Sequence, residues 1–175
     1  MDILIVVDMQ NDFVSGALGT REAVDIVPRV AERVAAGADL GETILFTRDT
    51  HEENYLETRE GRALPVPHCI RGTEGWEIID QLTEYTVDRT VVDKPTFGSR
   101  ELGRILAAEQ EPVEKITFIG LCTDICVISN ALLAKAFLPE AEIAVDAVCC
   151  AGVTPESHRN ALAAMQVCQI TVENG

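Results

Sequence analysis

Gly120-Leu-Cys-Thr-Asp-Ile-Cys-Val127 is the stretch on which the fold turns. Before it, Lys115-Ile-Thr-Phe-Ile119 is a short apolar run that reads as a buried strand. After it, apolar residues return at helical spacing from Cys126 to Phe137. The stretch therefore predicts a strand-to-helix corner opened by a glycine, with Cys122 and Cys126 on either side of Thr123-Asp124. A thiol in the first turn of a helix feels the positive end of the helix dipole, which favours thiolate. Unused backbone N–H groups at such a corner can receive a developing oxyanion. The plainer alternative is that both cysteines are small apolar packing residues. Other strand ends weigh against it.

Outward from this corner, strand and helix patterns alternate. Asp2 to Val7 is a continuous apolar run suited to a strand buried on both faces, and Asp8 stands at its carboxyl end. Val24 to Ala38 reads as an amphipathic helix, with Pro28 tolerable only near its first turn and Gly37 and Gly41 closing it. Glu42 to Arg48 is the second strand. Glu74 to Leu82 reads as a short helix around Trp76, and Thr86 to Val92 as an irregular strand that leads to Lys94. Ser99 can cap a helix running to Ala108. Glu142 to Val148 is a strand, a helix begins near Thr154 with Pro155 in its first turn, and Gln169 to Val172 is the last strand. The expectation is an α/β fold in three layers: a mostly parallel six-stranded sheet with helices on both faces, spanning residues 1–175 as a single domain. In such sheets ligands bind beyond the carboxyl ends of the strands. Asp8, Asp49, Lys94 and Cys126 all fall there.

Between Asp49 and Gly75 no clear period appears, and a structureless segment of that length inside a compact domain is usually functional. It carries two of the three histidines, His51 and His68, with Asp49 and Glu60. In Asp49-x-His51 both side chains lie on one side of an extended backbone. Two imidazoles and two carboxylates suit zinc, iron(II) or manganese, whereas the alternative is a solvated polar loop.

Composition narrows the classes. A formal charge of −15 argues against sequence-nonspecific nucleic-acid binding and against docking on anionic membranes. No apolar run approaches a membrane span, and no basic, cleavable leader is visible at the N-terminus. Six cysteines without a CxxC pair point to a reducing, cytoplasmic setting and not to a disulfide framework or a zinc ribbon. Cys149, Cys150 and Cys168 read as structural.

Three motifs, in this order, resemble those of the isochorismatase-like cysteine hydrolases, and within them the nicotinamidases: Asp8-Met-Gln-Asn-Asp-Phe13, Lys94 followed by Phe97-Gly98-Ser99, and Gly120 to Val127. The resemblance covers essentially the whole chain. It implies that Cys126, not Cys122, is the nucleophile, with Asp8 as base and Lys94 completing a triad. It also implies an oxyanion hole from the N–H groups of Cys122 and Cys126, at a Cys122–Thr123 peptide that is cis in relatives. Asp49-Thr-His51 and Pro67-His68 through Gly75 resemble the nicotinamidase metal segment, with the fourth ligand Glu60 or, more weakly, Asn54. One divalent metal, zinc first among the choices, would orient the pyridine nitrogen. Nicotinamidases usually carry an aromatic ring just before the Pro-x-His segment; here Leu64-Pro65-Val66 stands there, leaving Phe13 as one wall and Leu64 as another. The implied activity is hydrolysis of nicotinamide in pyridine-nucleotide salvage for NAD biosynthesis, by a homo-oligomer acting on a small amide. Another small amide or carbamate is the second reading, and an inactive metal-binding scaffold the third.

Overall fold

The computed structural model describes residues 1–175. Six strands form one sheet in the order β3-β2-β1-β4-β5-β6, and every neighbouring pair is parallel. They are β1 (Asp2–Val7), β2 (Thr43–Asp49), β3 (Val91–Lys94), β4 (Lys115–Leu121), β5 (Glu142–Ala151) and β6 (Thr171–Glu173). The chain builds outward from β1 to β3, then returns to lay β4 against the other side of β1. The β1/β4 boundary is thus the topological switch point, where a crevice opens beyond the strand ends. Asp8 follows β1 and the Cys126 turn follows β4, so the two stand on either side of that boundary.

Alternation along the strands makes two cores. Leu4 and Val6 of β1 face α1 (Asn11–Val14), α2 (Arg21–Leu40) and α4 (Asp80–Thr83), with Phe46, Ile119 and Leu121 beside them. Ile3, Ile5 and Val7 face α5 (Arg100–Ala107), α6 (Ile128–Phe137) and α7 (Pro155–Val167), with Phe118, Ala131 and Met165. Burying an Ile, Leu or Val side chain fully contributes about 1.5–3 kcal/mol. β1 is anchored on both faces, and the residue at its end is held rigidly. Gly120 permits the close approach of β4 to β1: its φ is 114°, and a Cβ there would lie 2.2 Å from the Val7 carbonyl oxygen. No helix is long and apolar enough to cross a membrane.

Several boundaries differ from expectation. α2 begins at Arg21, where Thr20 caps it by accepting from the Ala23 N–H, so Pro28 lies well inside the helix. The proline lacks an N–H for the Val24 carbonyl, and Val24 is exposed, so water can take that bond. The segment after β2 is not structureless: Tyr55–Glu57 is a 3₁₀ turn and α3 (Arg59–Ala63) follows, capped by Thr58. Glu74 to Leu82 is not one helix but a 3₁₀ turn at Glu74–Trp76 and then α4, separated by extended backbone. β3 begins only at Val91, after a 3₁₀ turn over Glu84–Thr86. β4 and β5 run further than their apolar cores suggest, and a register shift opposite Phe118–Gly120 inserts extra β5 residues. The final strand starts at Thr171, two residues later than expected.

Candidate active site

Because all strands are parallel, Asp8, Asp49, Lys94 and the Cys126 turn open on the same end of the sheet. Lys94 is the centre of the cluster and is fully buried. Its Nζ lies 2.7 Å from Asp8 Oδ2, 3.2 Å from Asp49 Oδ1, 3.2 Å from the Thr96 carbonyl and 3.4 Å from Cys126 Sγ. An ammonium has three N–H donors. Four acceptors share them, and the 2.7 Å contact to Asp8 Oδ2 is the shortest, a charge-assisted pair between fully buried groups. Asp8 Oδ1 is occupied: the Thr47 hydroxyl donates to it at 2.6 Å. The backbone turns sharply at Asp8, with φ 48°, a conformation that aspartate tolerates better than most residues.

The protonation balance follows from burial. Burial raises the Asp8 carboxyl above its ordinary value, although the Lys94 charge opposes it. Burial would lower the lysine, but Asp8, Cys126 and Asp49 together hold Lys94 well above its ordinary value. Burial pushes the Cys126 thiol up, Asp8 pushes it further, and Lys94 pulls back only in part. Burial thus acts against the helix-end effect expected for this thiol, and Asp8 and Lys94 are among the charged groups beside the sulfur.

The corner itself is a π turn over Thr123–Val127 that runs into α6. Both the Ile125 and Val127 N–H groups donate to the Cys122 carbonyl, while the Cys122 N–H has no hydrogen-bond acceptor within the chain. The cis peptide bond is Leu121–Cys122, one residue earlier than the sequence reading put it. Asn130 ties the corner to the lysine segment, donating to the Cys126 and Phe97 carbonyls and accepting from the Ser99 N–H.

Asp49, His51, Glu60 and His68 converge, with one donor atom from each lying within 4.8 Å of all the others. His51 Nε2 is 2.9 Å from Asp49 Oδ2 and 3.6 Å from Glu60 Oε1. His68 Nε2 is 3.6 Å from Asp49 Oδ2 and 4.0 Å from Glu60 Oε1. Two ligands about 2.1 Å from a tetrahedral ion stand about 3.4 Å apart, so the spacing fits a divalent metal. The His68 Nδ1–H donates to the Val66 carbonyl at 2.8 Å, which leaves Nε2 as the lone-pair nitrogen facing the cluster. Burial would raise the Asp49 carboxyl, but the adjoining imidazoles and the Lys94 charge hold it below its usual range. Asn54 is exposed and outside the cluster, so the fourth candidate ligand is Glu60. Tyr55 packs against both imidazoles, 4.7 Å from His51 and 5.0 Å from His68 between ring centroids.

A cavity of ≈ 160 Å³ joins the two clusters, reaching Cys126 and Cys122 on one side and Asp49, Glu60 and His68 on the other. Phe13 and Leu64 line it as expected, and Leu18, Ala63, Phe97 and Ile125 complete the wall. A larger groove of ≈ 420 Å³ between α2 and α7 contains neither the lysine cluster nor the histidine pair.

Sequence reasoning missed the work of the residues after Asp8. Gln10 is fully buried; its amide donates to the Asp49 and Trp76 carbonyls and accepts from the Asp49 N–H. Asn11 donates to the Glu74 carbonyl, and Asp12 accepts from the Cys69 N–H. This polar ladder docks the histidine segment onto the end of β1. The signal was present in the run of amides and acids, Gln10-Asn11-Asp12, but its partners lie 39 to 66 residues away.

The Isochorismatase domain family model matches residues 2–174. Among solved structures, the pyrazinamidase of Pyrococcus horikoshii in complex with zinc is 32% identical, covering 98% of this chain and 97% of its own, with a TM-score of 0.84. The pyrazinamidase/nicotinamidase of Streptococcus mutans UA159 is 28% identical over 98% of this chain and 99% of its own, with a TM-score of 0.86. The nicotinamidase of Schizosaccharomyces pombe is 27% identical over 91% of this chain and 86% of the relative.

Proposed function

The chain belongs to the isochorismatase family, and from that membership we propose a metal-dependent cysteine amidohydrolase acting on a carboxamide C–N bond, a nicotinamidase that converts nicotinamide and water to nicotinate and ammonia. The observation that carries the reading is the buried Asp8–Lys94–Cys126 cluster, with the ammonium 2.7 Å from Asp8 Oδ2 and 3.4 Å from Cys126 Sγ, beside a cavity that also reaches Asp49, Glu60 and His68. Asp8 takes the Cys126 proton as the sulfur attacks the carboxamide carbon, and Lys94 stabilises the negative charge that appears on sulfur. The oxygen of the tetrahedral intermediate is received by the N–H groups of Cys122 and Cys126. Asp8 returns its proton to the nitrogen as the C–N bond breaks, releasing ammonia and leaving a Cys126 thioester. Asp8 then takes a proton from water, whose oxygen displaces the thiol, and nicotinate departs.

Phe13, Leu64, Phe97 and Ile125 would hold the ring. A cavity of ≈ 160 Å³ suits one six-membered ring, since a dry cavity of about 150 Å³ admits benzene. A divalent metal held by Asp49, His51, Glu60 and His68, zinc or in its place iron or manganese, would supply a Lewis-acidic anchor for the pyridine nitrogen. The same reading extends to a cytoplasmic homo-oligomer in pyridine-nucleotide salvage that binds neither nucleic acid nor membrane. Six unpaired cysteines and the charge of −15 support the setting, and the exposed Leu132 and Phe137 of α6 support self-association.

The test is ammonia release from nicotinamide by zinc-loaded protein. Release well above the buffer blank supports the reading. No release, with Cys126 still open to alkylation, moves the substrate to another small amide or carbamate. The aliphatic Leu64, in place of the expected ring and fixed by the Tyr55 hydroxyl on its carbonyl, favours that second reading, and a panel of amides separates the two.

The metal arm has its own check. His51→Ala with His68→Ala removes both imidazoles of the cluster and is expected to leave the purified protein without stoichiometric zinc. Elemental analysis showing unchanged metal in the double variant would overturn the assignment of the four ligands.

A further inference from the structure

Strand alternation sorts the residues around the ligands into two sets. Asp49, His51 and Lys94 point into the site, while their neighbours Arg48, Thr50, Glu52 and Asp93 point away from it. Arg48 and Thr50 meet the Trp76 ring directly, and Asp93 and Glu52 are tied to it through Arg48 and Arg71. The Arg48 guanidinium lies 3.4 Å from the Trp76 ring centroid, donates to Asp93 Oδ1 at 2.8 Å and reaches Glu77 at 3.3 Å. The indole N–H donates to the Thr50 hydroxyl at 2.8 Å, between the two ligands Asp49 and His51. The Trp76 carbonyl accepts from Gln10, whose amide also holds both backbone polar groups of Asp49. Arg71 closes the outside, donating to Glu52 and Asp93 at 3.0 Å each.

We propose that Trp76, with Arg48 held between it and Asp93, is a positioning residue for the Asp49–His51 ligand pair and for Lys94. The proposal rests on reading the four-residue cluster as a metal site. Each inward group has at least one sequence neighbour clamped in this outer layer, so the strand ends cannot splay without breaking contacts to the indole or to the Arg48 stacked on it. Hydrogen-bonded partners behind metal ligands typically control about 10–100-fold in metal affinity. The Arg48 side chain is only 18% exposed, whereas those of Arg71 and Glu52 are 47% and 63% exposed. Solvent screening makes the Arg71 arm weak. The indole and Arg48 therefore carry the effect, and Arg71 serves as the control.

The experiment measures zinc affinity by competition with a chromogenic chelator, well below the melting temperature, for the wild type and for Trp76→Leu, Trp76→Phe and Arg71→Gln. In the metal-free proteins, the rate of iodoacetamide labelling at Cys126, read by peptide mass spectrometry, reports the placement of Lys94. Trp76→Leu is expected to bind zinc about 10–100-fold more weakly and to change the labelling rate. Trp76→Phe should recover part of both, since its ring can still stack on Arg48, and Arg71→Gln should stay within about threefold. A merely structural role would lower the melting temperature and leave affinity in the folded protein unchanged. If Trp76→Leu fails to fold, Trp76→Phe decides by the same readouts. Wild-type zinc binding with both Trp76 variants within about threefold of it overturns the proposal alone. A wild type that binds no zinc removes the metal reading, and this proposal with it.

Discussion

Replacing Cys126 by alanine is expected to lower ammonia release from nicotinamide by at least about 10⁴-fold, with zinc content and melting temperature nearly unchanged. The expected size follows from what the sulfur does. Without it no covalent intermediate forms, and the Asp8 carboxylate and Lys94 ammonium have nothing to activate. The structural cost is small because the side chain loses one atom at a site that already borders a cavity. Its hydrogen bond from Lys94 is the long one, 3.4 Å, while the Asp8 and Asp49 contacts of the ammonium persist. Cys122→Ala makes the comparison sharp. It also lines the cavity, but what the mechanism takes from residue 122 is a backbone N–H, which alanine keeps. Cys122→Ala should retain most of the turnover. Equal losses in the two variants would show that the choice between the thiols is wrong, and residual turnover above about a hundredth in Cys126→Ala would sink the thioester route.

Lys94→Met is expected to cost both activity and stability, the latter by about 3–5 kcal/mol for the metal-free protein, measured by urea denaturation. Lys94 is the cation between Asp8 and Asp49, and all three side chains are essentially excluded from solvent. Methionine fills a similar volume but leaves two buried carboxylates without a cation between them. They can escape only by taking up protons or by opening the site to water. A buried pair that loses one partner costs far more than the intact pair contributes, because the remaining charge stays desolvated. Lys94→Arg should not rescue it: a planar guanidinium is larger and presents a fork where the site offers a compact pocket. A Lys94→Met protein within about 1 kcal/mol of the wild type would mean that the ammonium is not what holds the two carboxylates together.

The two predictions separate kinds of information that the chain carries. The alternation of Ile3, Ile5 and Val7 against Leu4 and Val6, the buried runs at Thr43 and Lys115, and the glycine at 120 made the sheet and its strand ends readable, because a period of two and an apolar run are local properties. Asp8, Asp49 and Lys94 were legible for the same reason, as charges directly after apolar runs. Boundaries were less legible where tertiary contacts override local preference. Thr20 caps α2 four residues before the expected start, and Pro28 survives in the helix interior because the orphaned carbonyl belongs to an exposed residue.

How the acceptors around Lys94 share it could not be read from the chain. That the Lys94 ammonium sits within 3.4 Å of four acceptors at once depends on groups from residues 8, 49, 96 and 126. That the Cys126 thiol is pushed up depends on burial and on Asp8, against the pull of the nearby lysine. The placement of Trp76 behind Asp49 and His51 likewise emerges only when the 3₁₀ turn at Glu74 folds back against the strand ends, whereas Glu60 was already preferred to Asn54 on the family resemblance. The sequence by itself determined the parallel α/β frame, the strand ends that bear charge and the motifs of the isochorismatase family. The tertiary structure alone decided how those groups share protons and donors, because hydrogen-bond saturation and desolvation belong to contacts across tens of residues and not to any local pattern.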